Sequence, residues 1–181
     1  MPGELHALAG AGFELRVLRL DDAPSLARHA DDEEVWRNLF EGFPRPYTLA
    51  DAQQWCSEGC REPQSGWVWG IDVDGGVVGC IAAAPQPGWL GCNAEVGYWV
   101  GRAFWGRGLA SGALRLVSAW AWRERPELTR LFAPIFSWNL ASQRVAQKCG
   151  YVLEAQLPQS AIKAGRIIDR VQYACYRTAP H

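Results

Sequence analysis

The chain has 181 residues, 49% of them hydrophobic and 20% charged, enough for one domain with a sizeable core and too few for two ordinary ones. With 18 Lys and Arg against 19 Asp and Glu the formal charge is -1, so there is no basic excess to hold nucleic acid by counterion release. No apolar stretch approaches the ~20 residues of a membrane helix and residues 1–12 carry no targeting pattern, so one cytoplasmic domain over residues 1–181 is expected, with 1–12 as a loose N-terminal arm.

Residues 13–20 (FELRVLRL) alternate apolar and polar side chains, as a half-buried strand does. Asp21 and Asp22 can cap a following helix, and apolar residues at helical spacing (Leu26, Ala30; Val35, Leu39) predict two short helices over 23–30 and 32–40. Two prolines make 42–47 (GFPRPY) a loop, after which Thr48 caps a helix to about Cys60. Residues 67–73 and 77–84 flank Asp74-Gly75-Gly76, which suits a hairpin, and 93–100 is the next strand. The run Gly106 to Gly112 is rich in small residues and opens a helix to about Trp122. A strand over 128–136 follows, then a helix capped by Asn139 and ended by Gly150. Residues 151–157 and 167–176 form a closing strand pair across Gly165. No repeat or linker interrupts this order.

Six scattered cysteines without a C-x-x-C pair, and histidines only at His6, His29 and His181, argue against zinc and against a disulfide framework, so no metal is expected. Cys56 and Cys60 lie one helical turn apart and read as small buried apolar residues. The strand–turn–helix over 93–122 is the most informative stretch. Its small residues let a bulky ligand approach backbone N–H groups at a helix start, a place suited to phosphate oxygens, while tight helix-on-sheet packing would use the same residues. A nucleoside-triphosphate loop is excluded because no Gly-Lys-Ser/Thr closes it, and a dinucleotide fingerprint because its third Gly and ribose-binding acid are missing.

Two stretches, AEVGYWVGRAFWGRGLASGALRLV (94–117) and SWNLASQRVAQKCGYVLEA (137–155), resemble the GNAT N-acetyltransferases, most closely their ribosomal-protein (RimJ/RimL-like) branch. The family's pyrophosphate signature falls on Trp105, Gly108 and Ala110, and its downstream signature on Asn139, Ser142, Lys148, Gly150 and Tyr151. Weaker echoes, FPRPYTLADAQQW, DGGVVG and the final Gly165, Arg166 and Asp169, extend the likeness across nearly the whole chain.

The resemblance implies an α/β fold with a mixed, mostly antiparallel sheet of six to seven strands, splayed into a V and flanked by four to five helices. It implies acetyl-CoA as co-substrate between strands 93–100 and 128–136. Trp99 and Val100 would supply backbone groups to the pantetheine arm. Residues Trp105, Gly106, Arg107, Gly108, Leu109, Ala110 and Ser111 would cradle the pyrophosphate, with charge from Arg107 or Arg102. Asn139 would reach the arm while capping its own helix. The tyrosine that many relatives use as proton donor is replaced by Ala146, which leaves Ser142, one turn earlier, to hydrogen-bond the thiol sulfur. Glu95 is the candidate base, although period two leaves open which face it takes, and water is the alternative.

The acceptor, a primary amine, is expected against Trp36, Phe40, Phe43 and Tyr47, beside the acids 31–34 and Glu41; those acids also suit helix-start electrostatics. A protein N-terminal α-amine is the leading acceptor, with a polyamine-like small amine or a non-catalytic acyl-CoA-binding module as alternatives, and a homodimer is a candidate assembly. Ten tryptophans against one methionine are assigned mostly to packing, with Trp36, Trp99, Trp105 and Trp138 near the site.

Overall fold

The computed structural model describes residues 5–177. Eight strands form one sheet: β1 (Leu8–Gly10), β2 (Phe13–Arg16), β3 (Trp67–Val73), β4 (Gly76–Pro85), β5 (Asn93–Val100), β6 (Arg130–Phe136), β7 (Val152–Lys163) and β8 (Arg166–Tyr176). Their order is β1-β2-β3-β4-β5-β6-β8-β7, and every pair is antiparallel except β5 with β6. The count exceeds the expected six to seven because Leu8–Gly10, placed in the loose arm by the sequence reading, pairs with β2. Residues 1–4 of that arm lie outside the described residues.

Five α-helices flank the sheet: α1 (Ala23–Ala30), α2 (Glu33–Trp36), α3 (Leu49–Ser57), α4 (Leu109–Glu124) and α5 (Leu140–Lys148). On one face, α4 and α5 cover Trp67, Trp69, Ile71, Val96, Leu131 and Ile135. On the other, α1 and α3 cover Leu18, Val68, Val77 and Cys80. Coverage on both faces explains why β3 (WVWGIDV) is buried at every position and shows no polar alternation. Trp69 and Trp120 meet edge to face at 4.9 Å between ring centroids, so these tryptophans are core, as expected.

β2 and α2 end sooner than the sequence suggests, and α3 ends at Ser57 instead of about Cys60. β2 stops at Arg16, whose guanidinium binds Asp72 at 2.6 Å and Asp22 at 2.7 Å and draws the chain into a turn. Asp32 caps α2 by accepting from the amides of Glu34 and Val35, but α2 is only four residues long. The acids near it are engaged locally: Asp31 accepts from the amide of Tyr47, Glu33 pairs with Arg45, and Glu34 with Arg37. Of this run, only Asp32 caps the helix with its side chain.

β7 runs six residues beyond its expected end. It is the sheet's edge strand, where Pro158 removes no ladder bond, and irregular registers after Leu153 and Leu157 carry it past the proline.

Candidate active site

β5 and β6 are joined only at Asn93↔Arg130, Ala94↔Leu131 and Glu95↔Phe132, and diverge beyond that point. β4 stays paired with β5 to Val100, so one side of β5 is left open. Which backbone groups face the opening follows from the ladder. The amide of Gly101 bonds Val78 and that of Gln86 bonds Asn93, which makes Gly79↔Val100 and Pro85↔Ala94 non-hydrogen-bonded pairs in an alternating antiparallel ladder. Glu95, Gly97 and Trp99 thus spend their backbone groups on β4, whereas Val96 and Tyr98 turn theirs toward the gap. The Val100 carbonyl also faces the gap but accepts from Trp105 Nε1 at 2.7 Å. Of the expected backbone partners, Trp99 is corrected, because its groups are spent on β4, whereas Val100 keeps a gap-facing amide; Val96 and Tyr98 turn both of their backbone groups to the gap.

A cavity of about 590 Å³ occupies the opening. One wall is the turn into α4, with Trp105, Gly106, Gly108, Leu109, Ala110 and Ser111. Gly108 is the N-cap of α4 at φ 79, a conformation that a side chain disfavours. It offers no side-chain cap, and a Cβ at Gly106 or Gly108 would project into open space. The first-turn amides of α4 therefore point at the cavity without an intrahelical partner. Arg102 and Arg107 do not line this wall, and the Arg107 guanidinium lies over the Phe104 ring at 5.0 Å. The cations that do line it are Arg144 and Lys148 of α5, one helical turn apart and spaced to share a face. That spacing was visible in the sequence, and Arg144 went unremarked.

α5 contributes its first turn. Asn139 Oδ1 accepts from the Ser142 amide at 3.1 Å, the cap read from the sequence. Ser142 Oγ lies 2.9 Å from Tyr98 Oη. Sequence reading missed Tyr98, because a strand tyrosine in an apolar run looks like core and its partner is 44 residues away. Burial pushes the Tyr98 phenol well above its ordinary range, with the Ser142 hydrogen bond opposing. It is therefore a protonated hydroxyl at neutral pH.

The opposite face of the sheet presents different chemistry. Period two puts Tyr98 with Val96 on the α4 side and Glu95 with Gly97 and Trp99 on the other, and the α4 side is fixed by Ala94, Val96 and Val100 in its core. Glu95 thus faces away from Ser142, across the opening. Desolvation raises its carboxyl above the ordinary 4.5, with the nearby charge of Arg170 opposing. Glu34, Asn38, Leu39, Phe40 and Arg170 line this part of the cavity. Trp138 of the β6–α5 turn donates from Nε1 to Asn38 Oδ1 at 3.2 Å and so bridges the two arms.

Of the four residues expected on the acceptor wall, only Phe40 lines the cavity. Tyr47 is buried among α1 and α3, and Phe43 stacks on it at 4.8 Å. Trp36 donates to the Phe43 carbonyl and lies under Arg45 and Lys163. These three aromatics build the wall from behind, because the prolines of 42–47 fold the segment onto the α1–α3 core instead of into the opening. Among the described residues no cluster of His, Cys, Asp and Glu could hold a metal, and no helix is long and apolar enough to cross a membrane.

The profile of the Acetyltransferase (GNAT) domain family matches residues 13–152. Among solved structures, the chain is similar to an acetyltransferase (GNAT family) from Bacillus anthracis, with 18% identity, a TM-score of 0.81, and coverage of 94% of this chain and 98% of that one. It is similar to RimL, a ribosomal L7/L12 alpha-N-protein acetyltransferase in complex with coenzyme A, with 20% identity, TM-score 0.82 and the same coverage. It is also similar to Mycobacterium smegmatis RimJ in complex with CoA-disulfide, with 23% identity, TM-score 0.82, and coverage of 97% of this chain and 88% of that one. No curated protein sequence matches the chain.

Proposed function

The chain belongs to the GNAT acetyltransferase family, and on that premise we propose that this N-acetyltransferase uses acetyl-CoA to acetylate a primary amine, most readily a protein N-terminal α-amine. The observation that carries this reading is the opening beyond Glu95↔Phe132, with hydroxyls on one face of the sheet and a desolvated carboxyl on the other. Acetyl-CoA supplies an activated thioester. The free backbone groups of Val96 and Tyr98 suit the amides of its pantetheine arm as an added strand would. The first-turn amides of α4, with Arg144 and Lys148, suit its phosphates.

Direct transfer needs a neutral amine on one side of the acyl carbon and a proton for the departing thiolate on the other. Glu95 is on the side from which the amine enters, where its carboxylate takes the amine proton directly or through water. Ser142 is on the thiol side and donates its hydrogen bond to the sulfur, while the Tyr98 hydroxyl fixes the Ser142 rotamer and can resupply the proton. A Tyr at position 146 is unnecessary in this arrangement, because Tyr98 supplies a hydroxyl to Ser142 from β5.

The RimL and RimJ likenesses and the sequence resemblance to the ribosomal-protein branch favour a protein N-terminus over a polyamine. Mass spectrometry of reactions with acetyl-CoA tests this against peptides with free or blocked termini and against polyamines. Addition of one acetyl group at the free α-amine is expected. Acetylation confined to polyamines or to lysine side chains would overturn the choice of acceptor.

A further inference from the structure

Arg170 is a charged residue of the cavity's acceptor side that takes no part in the proposed transfer. It lies on β8 directly opposite Phe136 of β6. Cross-strand partners share a face, and Glu95 is opposite Phe132 of the same strand, two pleats from Phe136. Arg170 and Glu95 therefore look into the acceptor side from the two arms of the V. The Arg170 stem is anchored: Nε donates to Ser160 Oγ at 3.1 Å, and that hydroxyl donates to the Leu157 carbonyl at 2.7 Å. Among the described residues the two terminal nitrogens have no hydrogen-bond partner, and Arg170 is in none of the ion pairs. Of the cavity's other acceptor-side charges, Glu34 is held by Arg37, and Glu95 is near enough to feel Arg170 without pairing to it. A guanidinium fixed at Nε and open at its terminal pair is pre-organised for a bidentate carboxylate.

We propose that Arg170 binds a carboxylate of the acceptor, so that the preferred substrate carries an acid group close to the amine that Glu95 deprotonates. The inference rests on the acetyltransferase reading above and narrows its acceptor. Two sources present this chemistry: the α-carboxylate of a free amino acid, and an acidic side chain next to the N-terminal residue of a peptide.

The test is thiol release and mass spectrometry with the full-length protein, using matched acceptor pairs: peptides beginning Ala-Asp or Ala-Asn, and alanine or its amide. The acid member of at least one pair is expected to exceed its amide partner by about tenfold or more in kcat/KM, and the pair that shows the ratio identifies the source. In Arg170→Gln the ratio should fall toward one, and Arg170→Lys should recover part of it, with KM for acetyl-CoA unchanged in both. Equal rates within both pairs for the wild-type protein would overturn the proposal while leaving the acetyltransferase reading intact. An acid preference that survives in Arg170→Gln would do the same. Failure of any amine to release thiol would overturn both.

Discussion

In the proposed reaction, hydroxyls on one face of the sheet and a single carboxyl on the other serve the two halves of the transfer. Ser142 and Tyr98 are 2.9 Å apart on the α4 side, and the two differ in what their loss should do. Ser142→Ala removes the group assigned to the sulfur, so kcat should fall by about 100-fold with little change in KM for acetyl-CoA. Tyr98→Phe leaves Ser142 in place with a freer rotamer, and a loss of about tenfold is expected from one hydrogen bond. Steady-state kinetics at saturating acetyl-CoA reads both, and unchanged turnover in Ser142→Ala would remove it from the chemistry. Glu95 has a pH signature. Because burial raises its carboxyl and only the ionised form accepts a proton, wild-type kcat/KM should fall as pH drops through that raised value. In Glu95→Gln that acidic limb should vanish and the rate should follow only the neutral fraction of the amine. A pH–rate profile that keeps the limb in Glu95→Gln assigns it to another group. Sequence alternation alone could not choose a face for Glu95, because period two gives two faces and only the core under α4 says which is which.

In the proposed acetyl-CoA site, the elements were more legible than the charges. The β5–α4 turn was legible in the sequence because Gly106 and Gly108 occupy positions of positive φ, where few residues but glycine are comfortable. Gly108→Ala isolates that contribution. The left-handed φ should cost about 1 kcal/mol of stability, and the new methyl projects into the cavity without touching protein atoms. A small loss of Tm with a clear rise in KM for acetyl-CoA is therefore expected; a Tm loss with KM unchanged would mean that the cradle lies elsewhere. The charges beside this turn were not legible in the same way. Arg107 stands between the two glycines and Arg102 four residues before them, yet Arg107 lies on Phe104, and this wall of the cavity takes its cations from α5, 36 residues or more along the chain. The hairpin and β5 were legible because a turn signal or an apolar run bounds them. β7 was underestimated because a proline ends a central strand but not an edge strand.

At the scale of the molecule, a sheet that opens between β5 and β6 needs ties between its two arms, and on the acceptor side these are few and specific. Trp138 donates to Asn38, and the tip of the β7–β8 hairpin reaches the segment after α2, where Glu41 accepts from the Ala164 amide at 2.9 Å. Lys163 completes the tie in an unusual way. It is only 5% exposed, among the described residues its Nζ has no hydrogen-bond partner, and it lies 3.5 Å above the Trp36 ring. None of this was readable in the sequence, since the contact joins residues 127 positions apart. The attraction to the ring offsets part of the desolvation cost of the ammonium, which Arg45 over the same ring increases. Burial lowers the Lys163 pKa below its ordinary 10.5, with Glu41 opposing and Arg45 adding to the shift. A lysine that loses its proton more easily when folded destabilises the fold below its folded pKa. That cost is relieved as pH rises from the folded value to 10.5, because in this window the unfolded chain holds more protons. Lys163→Met keeps a long apolar stem over Trp36 and removes the charge. It should raise Tm at neutral pH by about 2–4 °C, with the gain shrinking as pH approaches 10.5. Thermal melts across pH 7 to 10.5 read this directly. A constant difference would mean that packing alone separates the two proteins, and a loss of Tm in Lys163→Met at pH 7 would mean that the cation on Trp36 holds the arms together.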